Sequence, residues 1–277
     1  MSDVEGLDFH VHVGRPEQFN EQIHDLMERF NPEVYETFVD EGEIPERAVE
    51  AALDEAGLEY AVVLAHETPR VDIDVPNEYV LRYADRSERL IPFASINPNT
   101  QFRPVRRLRE LVDAGMRGLK LYPSYQYFSP NENHVYPLYA AAADLDVPVM
   151  FHVGSSVFEG SRTKYATPLP IEDVLVDFPD LTVVMAHGGR PAWYEQAEDL
   201  VRRHDNLYLE LSGIPPHRLT SKYFPEIGRF EDSVIFGTDY PTTPSTAENL
   251  DAIASQDVSD DFVEKITVDN PQRILGR

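Results

Sequence analysis

A closed barrel of eight parallel strands wrapped by helices is the fold that three observations predict for this chain. Eight short, apolar segments rich in β-branched residues recur along its 277 residues, amphipathic stretches separate them, and several end in a histidine or an aspartate. Continuous apolar runs suit strands buried on both faces, as in a parallel sheet, whereas a sheet with one wet face would alternate. Polar groups at the carboxyl ends of such strands are where barrels build their sites. The competing architecture is an open, doubly wound sheet. No Gly-x-Gly-x-x-Gly turn follows the first segment and no Walker-type phosphate loop occurs, so a nucleotide-binding sheet lacks its phosphate cradle.

The elements follow in order. Residues 6–13 form the first strand and carry Asp8-Phe9-His10-Val11-His12. The connection 15–43 is an insertion too long for a simple loop. Within it Phe19, Ile23, Met27 and Phe30 recur every three or four residues, which predicts a helix that covers the active-site rim or contacts a second copy. Helix 44–56 leads to strand 60–66, whose last residue, His66, is expected in a hydrogen-bonded supporting role. Helices 77–87, 104–114, 136–145, 171–178 and 193–204 then alternate with strands 90–97, 118–122, 147–153, 182–187 and 206–212. Strand 233–238 completes the eight. Loop 154–168, with Arg162, is long enough to act as a lid, and an acidic helix face is expected at 255–264. No linker divides residues 1–277, so one domain is expected.

Composition narrows the partners. Against 24 basic residues stand 49 acidic ones, a formal net charge of −25. Nucleic acid and anionic membrane both require local positive charge and are excluded as partners on this ground. The acids are spread along the chain rather than gathered in a tail, which reads as a hydrated surface suited to a high-salt cytoplasm, where screening removes self-repulsion. No apolar run approaches the roughly 18 residues of a membrane span, and no basic-then-apolar leader pattern opens the chain, so a cytoplasmic location is expected. With no cysteine, any metal must be held by nitrogen and oxygen. A homodimer suits the architecture, although no apolar pattern locates an interface.

His10 and His12 alternate along a strand, so both imidazoles leave one face and converge. Alone the pair is a weak metal signal, because histidines also pack inside strands. Three more apolar runs end alike, at His152, His187 and Asp239. Barrel closure sets the eighth strand beside the first, which puts Asp239 next to His10 and His12.

These residues, together with Arg117-Gly118-Leu119-Lys120-Leu121-Tyr122-Pro123, Ala186-His187-Gly188-Gly189, Phe236-Gly237-Thr238-Asp239-Tyr240-Pro241 and a closing Asp269-Asn270-Pro271-Gln272-Arg273-Ile274-Leu275, resemble the amidohydrolase superfamily over nearly the whole chain. The resemblance is to the amidohydrolase-related branch that includes aminocarboxymuconate-semialdehyde decarboxylase. It implies that His10, His12, His152 and Asp239 hold a divalent metal, zinc first and manganese second. His187 then stands beside it as acid, base or transition-state stabiliser. An ion with an open position acidifies water and polarises a carbonyl, and Asp239 is the group to accept the water's proton.

Other residues keep open roles. Lys120 is a substrate contact, a carbon dioxide-carrying bridge between two metals, a salt-bridge partner or a Schiff-base lysine. Arg190, placed at the start of the sixth helix, binds a substrate carboxylate bidentately or forms a rim salt bridge. Tyr122 and Tyr125 line the pocket or pack. Glu210 is expected buried and paired, and Trp193 in the core. His24, His134, His204 and His217 read as ordinary surface residues. The leading expectation is a metal-dependent hydrolase of a small carbonyl or carboxylate compound, such as an amide or lactone. Its alternatives are a metal-dependent decarboxylase on the same residues, a metal-free Schiff-base lyase using Lys120, and a binding barrel without catalysis.

Overall fold

All eight apolar segments form strands in the computed structural model, which describes residues 6–276. They are β1 (Leu7–His12), β2 (Tyr60–Leu64), then, after a small antiparallel hairpin of β3 (His66–Thr68) and β4 (Ile73–Val75), β5 (Leu90–Ser95), β6 (Leu119–Leu121), β7 (Val149–Gly154), β8 (Val183–Arg190), β9 (Leu207–Glu210) and β10 (Val234–Ile235). The eight pair in the order β1-β2-β5-β6-β7-β8-β9-β10, every one of those pairs parallel. Backbone bonds close the ring: Phe9 N donates to Phe236 O at 3.0 Å, Asp239 N to His10 O at 2.9 Å and His12 N to Tyr240 O at 2.8 Å. The open-sheet alternative is thereby excluded.

Helices cover the ring. They are α1 (Glu21–Phe30), α2 (Pro32–Glu41), α3 (Glu46–Ala56), α4 (Asn77–Ala84), α5 (Pro104–Asp113), α6 (Pro123–Gln126), α7 (Tyr136–Asp144), α8 (Leu169–Asp177), α9 (Tyr194–Arg203), α10 (Thr246–Ala254), α11 (Phe262–Glu264) and α12 (Asn270–Leu275). Outward strand residues such as Val11, Val63, Leu119 and Val183 pack against them in one apolar layer. A second cluster, including Leu7, Phe9, Val62, Phe93, Met150 and Val184, fills the inside of the barrel.

One irregularity in β1 matters for everything above that plug. The register against β2 shifts between Asp8 and Val11, a bulge that changes which residues point inward. Below it Leu7 and Phe9 turn in, Phe9 meeting Phe93 edge-on at 5.6 Å. Above it His10 and His12 turn in while Val11 and Val13 join the outer layer.

The insertion folds as α1 and α2. Asn20 caps α1 by accepting from Ile23 N at 3.0 Å and ties it to the hairpin by donating to Val71 O at 2.8 Å. Asn31, between the helices, donates to Pro241 O and Thr243 O at 2.8 and 2.7 Å, anchoring the insertion to the loop after β10. Phe19, Ile23 and Met27 are buried and Phe30 is half-buried.

Four local expectations are corrected. Arg190 ends β8 rather than starting a helix, since the strand continues through Gly188 and Gly189 and α9 begins at Tyr194. Segment 255–264 is helical only over its last three residues, the short α11, because the Ser- and Asp-rich stretch 255–261 competes with helical hydrogen bonding. His66 opens β3 instead of closing β2, and Trp193 is half-buried at the head of α9. Between β9 and β10 no long helix forms, as Pro215, Pro216 and Pro225 break the segment into short 3-10 and π turns. Among the described residues no helix is long and apolar enough to cross a membrane.

Asp8 staples the seam. Its fully buried carboxyl accepts from His10 N and Thr238 N, both at 3.1 Å, and from Thr238 Oγ1 at 2.6 Å. Replacing Asp8 with Ala is expected to leave these donors unpaired and to lower stability by roughly 2–4 kcal/mol. A thermal unfolding midpoint equal to that of the parent protein would contradict the staple.

A histidine and aspartate cluster at the barrel mouth

The seam and the bulge bring strand ends together. Asp239 Oδ1 lies 3.0 Å from His12 Nε2 and 3.5 Å from His10 Nε2, and its Oδ2 lies 3.5 Å from Arg190 Nη2. The ligand atoms of His10, His12 and Asp239 all fall within 4.8 Å of one another. Two residues here hold left-handed backbone that only Gly adopts freely: Asp239 at φ 72° and His187 at φ 67°. Such strain persists only where the surroundings impose it, and it gathers at functional positions.

Beneath the cluster runs a buried hydrogen-bond chain. Glu210 Oε2 faces His10 Nδ1 at 3.1 Å and accepts from Ser212 Oγ at 2.8 Å, while Oε1 accepts from Ser212 N at 2.7 Å. Ser212 Oγ lies 2.8 Å from His187 Nδ1, and His187 Nε2 lies 3.0 Å from His152 Nδ1. Tyr125 OH completes the chain 3.3 Å from His152 Nε2. Gly237 makes this possible, since a Cβ there would stand 2.1 Å from Glu210 Oε1. Glu210 is thus buried and paired. Ser212, the hub, was not singled out from sequence, although its spacing of two from Glu210 puts both on one face of an extended chain.

His10, His12 and Asp239 fit a cation, with Glu210 orienting His10 from its far ring edge. With the Nδ1 proton of His10 given to Glu210, its Nε2 turns a lone pair toward the Asp239 carboxylate, and two lone pairs facing across a buried site are what a positive ion reconciles. The structure does not bring His152 into this group: both of its nitrogens are engaged, by Tyr125 and by His187. A second set of converging ligand atoms comprises His10, His187 and Glu210.

Electrostatics follow from burial. Burial pushes the imidazoles of His10, His152 and His187 well below their usual range, so they stand neutral, as metal ligation requires. Burial also works against ionisation of Asp239, but the surrounding histidines outweigh it and hold that carboxyl well below the usual range.

The cluster opens into a cavity of about 240 Å³, lined by His10, His12, His66, Tyr122, Tyr125, His152, His187, Arg190 and Asp239. Ile23 and Leu26 of α1 and Val157 and Phe158 of loop 154–168 complete its wall, so the insertion does cover the site. A second cavity, of about 740 Å³, shares Ser155, Ser156, Val157, Arg190 and Gly213 with the first. Arg190 reaches both by lying over Gly213, where a Cβ would stand 1.1 Å from Nη1. Lys120 is not among the lining residues. It is buried beneath, its Nζ 3.5 Å from Met150 Sδ and 5.2 Å from the centre of the Tyr122 ring. Burial pulls its ammonium below the usual range. Arg162 packs instead on Tyr127, 4.0 Å from the ring centre. His134 and His217 are exposed, whereas His24 and His204 are half-buried against helices away from the cavity.

Comparison with known proteins agrees with this fold. The family model described as amidohydrolase matches residues 7–277. An uncharacterised TIM-barrel protein from Bordetella bronchiseptica superposes with a TM-score of 0.79 at 26% identity, covering 98% of each chain. A probable 2-pyrone-4,6-dicarboxylic acid hydrolase from Acinetobacter baumannii, with citric acid bound, gives 0.67 at 18% identity over 99% of this chain and 100% of its own. A dihydroxybenzoic acid decarboxylase from a Polaromonas species, with manganese and 2-nitroresorcinol bound, gives 0.69 at 16% identity over 98% and 96%. A search of curated proteins returned no match.

Metal content measured by plasma mass spectrometry is expected near one zinc or manganese per chain, falling at least tenfold in both His12→Ala and Asp239→Ala. Full retention in either variant would remove that residue from the site.

Proposed function

The chain belongs to the amidohydrolase family, whose members are metal-dependent hydrolases or decarboxylases, and from that premise we propose that it hydrolyses a small carbonyl compound bearing a carboxylate, a lactone or an amide. The observation that carries this reading is Asp239. Its Oδ1 lies against the His10 and His12 Nε2 atoms and its Oδ2 beside Arg190, on a side chain that lines the cavity, which is where a base must stand to take a proton from water. A bound divalent ion, zinc by the nitrogen and oxygen donor set and manganese as the second choice, supplies Lewis acidity to water and carbonyl.

The remaining roles belong to side chains. Arg190 presents a planar fork able to hold the substrate carboxylate, and the shared lining of the two cavities lets a leaving group extend past it. His187, fixed by Ser212, stands at hydrogen-bond range of His152 beside the cluster, and the proton that Asp239 takes from water is the one Asp239 returns to the departing group. A cavity near 240 Å³ is below the usual span for drug-sized ligands, which favours a compact substrate. Decarboxylation is the second reading. It is favoured by the ring wall of Tyr122 and Tyr125, 5.8 Å apart at 18°, which suits a flat aromatic acid.

A panel of lactones, amides and aromatic acids, assayed on metal-loaded protein, separates the two by product. Hydrolysis incorporates labelled oxygen from water, and decarboxylation releases carbon dioxide. On the active substrate Asp239→Asn is expected to lower kcat by about 10²–10⁴-fold. Arg190→Ala is expected chiefly to raise KM, about tenfold or more, as loss of a ground-state contact does. An Asp239→Asn variant of unchanged kcat would end the base assignment.

The acidic surface supports a high-salt cytoplasmic setting. Raising KCl from about 0.1 M to about 1 M shortens the Debye length from about 10 Å to about 3 Å. The thermal midpoint is expected to climb by several degrees over that range, and a flat or falling midpoint would mark an ordinary acidic protein.

A further inference from the structure

His66 is the one imidazole at the cavity that the cluster does not use. It is 3% exposed, it lines the cavity, and neither ring nitrogen has a hydrogen-bond partner among the described residues. Its ring is not loose. It stacks on Tyr122 with centres 4.0 Å apart and planes 4° from parallel, and on His12 at 5.4 Å and 28°. Tyr122 is fixed in turn, its OH donating to Ala65 O at 3.0 Å. The backbone at His66 pairs with Val75 in the β3–β4 hairpin. A phenylalanine would satisfy every one of these packing contacts without leaving a buried donor and acceptor unpaired, and unpaired buried groups are costly. The polar edge of the ring therefore has a use that packing does not explain.

We propose that His66 is a specificity-determining residue that hydrogen-bonds a hydroxyl of the substrate, at the end of the cavity opposite Arg190. The placement follows from the strand order. His66 follows β2, the second strand of the ring, and Arg190 ends β8, the sixth, so three strands lie between them on either side and they face each other across the mouth. The hydroxyl follows from the inventory of a neutral imidazole, which offers one donor and one acceptor. A hydroxyl both donates and accepts, so it satisfies whichever nitrogen His66 turns inward. The substrate class is then a carboxylate with a hydroxyl at its far end, its reacting carbonyl between them near His12 and Asp239. The carboxylate half of this assignment rests on the proposed function, and the His66 half stands on its own geometry.

The test uses ω-hydroxy carboxylates as rulers. Butyrate, valerate and hexanoate are titrated into metal-loaded, ¹⁵N-histidine-labelled protein beside 4-hydroxybutyrate, 5-hydroxyvalerate and 6-hydroxyhexanoate, with 1,4-butanediol and 1,5-pentanediol as neutral probes. In the parent protein at least one hydroxy acid is expected to bind fivefold or more tightly than its parent acid and to shift a His66 ring nitrogen, identified by its absence in His66→Phe. That variant should bind the parent acids within twofold of wild type, keep its metal, and lose the preference. His66→Gln, which keeps a donor and an acceptor, should retain part of it and serves if the phenylalanine variant does not fold. No hydroxyl preference at any length, or a preference that survives in His66→Phe, overturns the proposal. Failure of the carboxylate reading looks different: the acids do not bind, or bind equally in Arg190→Ala, while a diol that shifts the His66 nitrogen still supports the hydroxyl site and one that leaves it unmoved refutes it.

Discussion

The structure depends on how the first and last strands of the barrel meet. Asp8 on β1 takes hydrogen bonds from Thr238 just after β10, and this contact lies wholly out of water. Hydrogen bonds to a buried carboxyl are among the stronger ones available to a fold, since water competes for neither partner. Burial, with a smaller push from the Glu210 carboxylate, holds the Asp8 carboxyl up at about 7 in spite of the donors that favour its charge. The same seam sets Asp239 one residue past Thr238 and His10 two residues past Asp8, so barrel closure and site assembly are one event. A chain that failed to close would retain most of its strands and have no site.

The parts of this fold that were legible in the sequence are those governed by burial. Val147 to Val153 or Val183 to Ala186 can only be strands covered on both sides, and their terminal His152 and His187 inherit their place from the strand. What escaped reading depends on single residues that break a period. The bulge near Phe9 leaves no compositional trace, yet it decides that Phe9 and His10 both face inward. His66 lies two residues past β2, and whether it ends one strand or starts another turns on the Thr68 to Ile73 hairpin, which is too short for a periodic signal. Ser212 carries no conspicuous chemistry by type and acquires its role from what surrounds it. His152 lies outside the converging atoms of His10, His12 and Asp239 and beside His187, a placement set by the stagger of the strands rather than by spacing along the chain.

Two electrostatic regimes coexist in the molecule. Outside, many acids are held by arginines on or just beyond the helices, such as Glu43 by Arg86 and Glu172 by Arg203. Inside, neutral imidazoles and one ionised carboxylate share a space that burial keeps apart from that surface. The insertion separates them physically, because α1 lies over the mouth and its Asn31 is bonded to the loop that follows Asp239. A helix anchored at the site's own edge couples the cover to the carboxylate it protects.

The apolar plug below the histidines has a kinetic meaning. Leu7, Phe9, Ile91, Phe93, Met150 and Val184 fill the lower barrel, so the cavity is closed below and lies at the mouth, walled there by α1 and loop 154–168. Arrival and departure then take place at the same end of the barrel, so a product that lingers there occupies the space the next substrate needs.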